Sequence, residues 1–219
     1  MCHRMSPLQA AEMREALRAL RESGRARVPA AGAPAASDAY PGSQVPLFVP
    51  DAAGALEVAT LSWGFDSPAS RGLVFNTRIE TALAQARAGR GLWARAASEG
   101  RCLVPVRCFY ESADAGAAAQ GEKDPRSEWA AGAPARARRP QWRFRLAGHA
   151  VFLLACVADG GRFSVVTCPP NGDVAPVHRR MPLVLAPGES AVWLGPDYAS
   201  LADRSRVRLD AEPAEDARA

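Results

Sequence analysis

The chain opens Met1-Cys2-His3-Arg4. Removal of Met1 would leave Cys2 as the N-terminus, with a free α-amine and a thiol on adjacent carbons. An α-amine has a reference pKa of roughly 8, against about 10.4 for a lysine. A useful fraction is therefore unprotonated near neutrality without any burial. Such an amine can attack an aldehyde to give an imine, and the neighbouring thiol can close on the imine carbon to give a five-membered thiazolidine. An internal cysteine cannot do this, because its nitrogen is held in a peptide bond. Three other polar residues stand where apolar stretches end: Asn76 after Leu73-Val74-Phe75, Glu111 after Cys108-Phe109-Tyr110, and His178 before an apolar strand. Taken singly, they read more simply as a turn cap, a strand-end charge and a loop histidine. Taken with Cys2 they complete a set: a nucleophile, an amide to orient, and a carboxyl and an imidazole to move protons.

The elements that must position these groups follow from patterning. Ser6-Pro7-Leu8-Gln9 predicts a helix start, with Ser6 as N-cap, and Met13, Leu17 and Leu20 on one face up to a stop at Gly24. Arg25 to Asp38 reads as an irregular loop. Gln44 to Val49 and Leu56 to Trp63 read as strands around a turn at Asp51 to Gly54. Glu80-Thr81 opens a helical stretch expected from Ala82 to about Ala88, and a second short helix is expected near Leu92 to Ser98, stopping at Gly100. Cys102 to Val106 and Cys108 to Glu111 read as one strand or a bent pair. Gln141 to Leu146 alternates, with Trp142, Phe144 and Leu146 on one face. Val151 to Val157 is an apolar run, and Asp159-Gly160-Gly161 predicts a tight turn into Phe163 to Thr167. Leu183 to Leu185 is a further strand and Glu189 to Leu194 a short helix. Many hairpin-linked strands with a few helices set apart predict an α+β fold: a curved, mainly antiparallel, barrel-like sheet with peripheral helices in a single domain. That domain is expected over 1–210, with 112–140 a mobile surface insertion and 211–219 a disordered tail.

The bulk numbers set limits. The chain has 219 residues, 48% apolar and 23% charged, enough for one well-cored soluble domain. The net charge of +4 permits an anionic partner without demanding one. Its 27 basic residues include a single lysine, Lys123, which reflects a GC-rich codon bias more simply than phosphate recognition. No apolar run has the length of a membrane span, and the first residues do not form a secretory signal. The five cysteines lack C-x-x-C pairing, and their odd number argues against a full disulfide framework. His3, His149 and His178 lack metal-ligand spacing, so no metal or other cofactor is expected. A reducing cytoplasm is the simplest setting.

Six stretches taken together resemble the SRAP domain, the SOS response-associated peptidase family. They are Met1-Cys2-x-Arg4, Trp63-Gly64, Asn76-x-Arg78-x-Glu80-Thr81, Arg101-Cys102-Leu103-Val104-Pro105, Phe109-Tyr110-Glu111 and His178-x-Arg180-Met181-Pro182. Their order and spacing match from Met1 to about Leu194. The resemblance implies a β-rich α+β domain with a positively charged cleft. It implies recognition of abasic sites in single-stranded DNA, and a thiazolidine crosslink from the N-terminal cysteine to the ring-opened sugar aldehyde. Release of the initiator methionine is credited to the same site. Carried over by position, Cys2 is the crosslinking residue, Asn76 holds the α-amine end or the sugar, and Glu111 moves protons during imine formation. His178 assists ring opening and crosslink reversal. Arg4 and Arg78 bind flanking phosphates, Trp63 lines the cleft or stacks on a base, Thr167 lines the sugar pocket, and Arg180 joins the DNA-binding set. His3 stands where the family usually has Gly. The implied partner is single-stranded DNA containing abasic sites, met by a monomer in the cytoplasm, nucleoid-associated when bound to damaged DNA, with no membrane involved.

Two other readings stay open at this stage. One is an N-terminal-nucleophile amidohydrolase of the glutamine amidotransferase type, which would release ammonia from glutamine. The other is a non-catalytic single-stranded DNA binder using Arg4, Arg78, Arg179, Arg180 and the arginines between Arg136 and Arg145, whose salt-sensitive binding would survive loss of Cys2.

Overall fold

The computed structural model describes residues 2–23, 37–67, 71–114 and 139–214. Most of the two expected loops, 24–36 and 115–138, and the last five positions lie outside the described residues. The chain runs β1 (Arg4–Pro7), α1 (Ala10–Ser23), β2 (Gln44–Pro50), β3 (Leu56–Trp63), β4 (Phe65–Asp66), β5 (Leu73–Val74), β6 (Asn76–Arg78), α2 (Ile79–Ala88) and α3 (Ala94–Glu99). It continues through β7 (Arg101–Ser112), β8 (Gln141–Leu146), β9 (Phe152–Asp159), β10 (Arg162–Cys168), β11 (Met181–Pro182), β12 (Val184–Leu185), α4 (Ser190–Leu194), a 3-10 turn at Tyr198–Ala202 and β13 (Leu209–Pro213).

Five strands close a ring: β9 pairs β10, β10 pairs β3, β3 pairs β2, β2 pairs β7, and β7 pairs β9 again. Every pairing in the ring is antiparallel except β10 with β3. Among the described residues, four helices lie around this barrel-like sheet in one domain, as the patterning predicted. The strand that matters most is β7. Its first half, Arg101 to Val106, pairs β9; its second half, Phe109 to Ser112, pairs β8, and Val106 to Tyr110 also take β1. One continuous strand thus leaves the barrel wall and carries the Cys108-Phe109-Tyr110-Glu111 stretch beside the N-terminal arm.

The core explains the register. Val45, Leu47, Trp63, Leu103, Leu154, Phe163 and Val165 are fully buried. Each such side chain stabilises the fold by about 1.5–3 kcal/mol. Trp63 stacks on Phe163 with ring centroids 6.2 Å apart, and its indole N–H donates to the Phe75 carbonyl at 2.9 Å. The alternation in β8 holds for Phe144 and Leu146, which are buried, while Trp142 is half-buried. At Gly100 a Cβ would sit 1.9 Å from the Ala158 carbonyl oxygen, so only glycine lets the end of α3 meet β9.

Two local expectations differ from the structure. The predicted helix start at Ser6 is instead a strand: Ser6 and Pro7 pair with Cys108 and Val106 of β7. The Ser6 hydroxyl donates to the Asp38 carboxylate rather than capping a helix. The helix begins at Ala10, where the Glu12 carboxylate reaches back to the Gln9 N–H at 2.8 Å, half of a capping box shifted along the chain. Tertiary pairing has overridden a local capping signal. At the other end, β13 carries the chain in the sheet to Pro213, paired with Trp142 of β8, past the expected boundary at Asp210.

Candidate active site

The N-terminal arm is fixed on both sides. β1 pairs β7 on one edge, and Met5 exchanges backbone hydrogen bonds with Ala39 on the other, at 3.2 and 2.8 Å. Arg4 reinforces it: its Nε donates to Asp38 at 2.6 Å, its Nη1 to Gln141 Oε1 at 2.9 Å, and its guanidinium lies 3.9 Å over the Tyr110 ring. His3 Nε2 is 3.1 Å from Gln141 Nε2. No non-glycine residue described has a positive φ, so His3 occupies the family's glycine position in ordinary backbone geometry.

Cys2, at the head of this arm, is fully buried. Burial pushes its thiol pKa well up, and the Glu111 charge pushes it further, so the group rests as a thiol at neutral pH. Asn76 Nδ2 donates to the Cys2 carbonyl at 2.8 Å. Asn76 comes from β6, which is held parallel to β10 with Asn76 opposite Val165. Its Oδ1 is buried without a hydrogen-bond partner among the described residues. An orphaned buried acceptor costs about 1–3 kcal/mol.

Glu111 is fully buried near the end of β7, opposite Trp142 of β8. Burial raises its carboxyl pKa to about 7, with a further push from Asp114. His178 follows a turn built by Asn171, whose Oδ1 accepts from the N–H groups of Asp173 and Val174 at 3.1 and 3.0 Å. His178 Nδ1 lies 3.9 Å from Glu111 Oε2, and Nε2 lies 3.4 Å from Asp114 Oδ1. Burial holds this imidazole below its ordinary pKa. Contacts join the expected residues in pairs, Asn76 to Cys2 and Glu111 to His178, and the Glu111 charge acts on the Cys2 thiol.

The remaining expected residues divide. Arg180 forks onto Glu80 at 2.8 and 3.0 Å and donates to the Thr167 carbonyl at 2.7 Å. Thr167 is buried, and its hydroxyl reaches the Thr77 carbonyl at 3.3 Å. Arg180 and Thr167 thus brace β6, α2 and β10 beside Asn76. Arg78 is exposed at the start of α2, as a phosphate contact requires. Arg4 is spent on Asp38 and Gln141, and Trp63 is wholly in the core, so neither presents itself to a nucleic acid. Sequence reasoning missed Asp114 and Gln141. Asp114 is visible only as one acid in an alanine-rich stretch, and Gln141 only as a strand start.

All five cysteines are free and buried. Among the described residues, no group of three or more His, Cys, Asp or Glu is placed to hold a metal ion, and no helix is long and apolar enough to cross a membrane.

A closed barrel-like sheet with an N-terminal cysteine arm against a buried glutamate defines the class. The chain belongs to the SRAP family, SOS response associated peptidase, whose family model matches residues 1–217. The association with the SOS response places it in a DNA-damage setting, and the family description adds a peptidase-like role. No curated protein matches the sequence. Among solved structures, a phage-related protein from Bordetella bronchiseptica is similar at 18% identity and a TM-score of 0.63, over 97% of this chain and 94% of that one. A second Bordetella bronchiseptica protein is similar at 20% identity and 0.63, over 98% and 100%. A Bacteroides thetaiotaomicron protein gives 18% and 0.57, over 82% and 78%. At these identities the likeness establishes the fold.

Proposed function

We propose that this chain captures abasic sites in single-stranded DNA by forming a thiazolidine between Cys2 and the sugar aldehyde, after Met1 has been removed. The observation that carries the reading is Glu111: a fully buried carboxyl with a pKa of about 7, on the strand that pairs with the arm ending in Cys2. A general acid–base poised near neutrality suits imine formation.

The steps balance. The Cys2 amine attacks C1′ of the ring-opened deoxyribose, and the carbonyl oxygen takes a proton to give a carbinolamine. Glu111 protonates the hydroxyl, which leaves as water, and the imine remains. The Cys2 sulfur adds to C1′, and its proton passes to the nitrogen, closing the ring. His178 assists ring opening and the reverse reaction, Asn76 holds the Cys2 backbone with Oδ1 free for the sugar, and Arg78 holds a flanking phosphate. Arg180 and Thr167 shape the wall of the sugar pocket. The peptidase role in the family's description is assigned to release of Met1, without which the amine is acylated and cannot react.

The test is intact-mass analysis before and after mixing with an abasic oligonucleotide. The expected mature protein lacks Met1 and gains the oligonucleotide mass less one water, while intact DNA gives no adduct and Cys2→Ala gives none. Capture by protein that retains Met1 would sink the thiazolidine mechanism.

A further inference from the structure

We infer that Gln141 is a positioning residue: its side-chain amide clasps His3 and Arg4 together and so sets where the Cys2 amine stands. The effect on crosslinking rests on the proposed reading; the clasp itself does not.

The ladder that fixes the arm stops short of the nucleophile. Pairing with β7 begins at Arg4, opposite Tyr110, and Cys2 and His3 come before it. A chain end stays ordered only where something ties it down. Asn76 holds the Cys2 carbonyl, and Gln141 reaches the next two residues. Gln141 is itself anchored at the start of β8. It pairs with Ser112 of β7, and its carbonyl accepts from the Ala214 N–H at 2.8 Å. Tyr110 pairs with Arg4 on one edge of β7 and with Arg143 of β8 on the other, so the Gln141 side chain spans β7 to meet the arm. One orientation of its amide fits. A guanidinium only donates, so the amide oxygen must face Arg4. That oxygen accepts from Arg4 Nη1 at 2.9 Å, which turns the NH2 group to His3 Nε2 at 3.1 Å. One planar group thus engages two consecutive side chains, and the His3 contact is the nearer to Cys2. A glycine at position 3 would offer the amide no side chain. Holding a nucleophile in its reactive geometry contributes to rate, and a misplacement of about 1 Å can cost on the order of a hundredfold.

Single-turnover crosslinking of the full-length protein to an abasic oligonucleotide tests this, read as a maximal rate and a half-saturating concentration. The variants are Gln141→Ala, His3→Ala and the two combined. Gln141→Ala should lower the maximal rate about tenfold and leave the half-saturating concentration unchanged. Because the two residues act through one contact, the loss in the double variant should be smaller than the product of the single losses. A wild-type maximal rate in Gln141→Ala, a loss carried by the half-saturating concentration, or single losses that multiply overturns the inference. Amide exchange followed by NMR reads the clasp without the chemistry. In Gln141→Ala exchange should quicken at His3 and Arg4 while Leu103 and Val104 keep their wild-type protection. Exchange that quickens everywhere, or nowhere, shows that Gln141 does not hold the arm. If wild-type protein forms no crosslink, the proposed function fails while exchange still decides the clasp.

Discussion

Asn76 Nδ2 donates to the Cys2 carbonyl at 2.8 Å, tying two residues 74 positions apart at the head of the arm. Asn76 serves the Cys2 backbone rather than its thiol. Asn76→Ala should lower the crosslinking rate at least about tenfold, and cost about 1 kcal/mol of stability through the lost hydrogen bond. Single-turnover capture and urea unfolding check both values. A capture rate equal to wild type would remove Asn76 from the site.

Glu111 makes stability depend on pH in a definite direction. Its carboxyl is raised to about 7 from an ordinary 4.5. Between those values the folded chain keeps a proton that the unfolded chain has lost. Stability therefore falls as pH rises from 4.5, and the penalty is complete above 7, on the order of 3 kcal/mol. Glu111→Gln lacks it. The unfolding free energy of Glu111→Gln relative to wild type should rise by that order between pH 4.5 and 8, as crosslinking is lost. A difference that does not change with pH would show that the carboxyl is not perturbed.

The two arginines of the N-terminal and Asn76 motifs should separate cleanly. Arg78 is exposed, whereas Arg4 is buried against Asp38 and Gln141. Arg78→Ala should flatten the salt dependence of single-stranded DNA binding, lowering the slope of log affinity by about 0.7. Arg4→Ala should leave that slope unchanged and destabilise the fold by about 3 kcal/mol, since Asp38 loses its buried partner. Titrations at several salt concentrations and thermal unfolding distinguish these roles.

Arg180 is expected to tolerate no substitution by lysine. Its fork holds both oxygens of Glu80 while one nitrogen also reaches the Thr167 carbonyl. An ammonium cannot span the three acceptors, so Arg180→Lys should cost about 1–3 kcal/mol and slow capture by loosening β6. Wild-type stability in Arg180→Lys would show that the fork carries no load.

Much of this molecule was legible where a single period dominates. Leu56 to Trp63, Gln141 to Leu146 and the Gly160-Gly161 hairpin follow from alternation and turn chemistry. Ser6 shows where such reading stops: its capping signal was sound locally, but Asp38 and β7 offered better partners. Cys2 was findable as the residue that loss of Met1 would expose, and Asn76, Glu111 and His178 because each borders an apolar stretch. Arg4 and Trp63 carried the right chemistry for DNA, but their destinations were set by Asp38, 34 residues away, and by Phe163 on the neighbouring strand. Asp114 had no pattern at all; only the folded loop brings it to His178.

The continuity of β7 has a dynamic consequence. Residues 101–106 close the barrel through β9, and residues 109–112 carry Glu111 between β1 and β8. Local opening around Glu111 must strain the same strand that seals the core. Amide exchange at Tyr110 and Glu111 should then proceed only through global unfolding, as slowly as at Leu103 and Val104. Under the proposed reaction, Cys2 would then meet its substrate against a wall that opens only when the whole fold does.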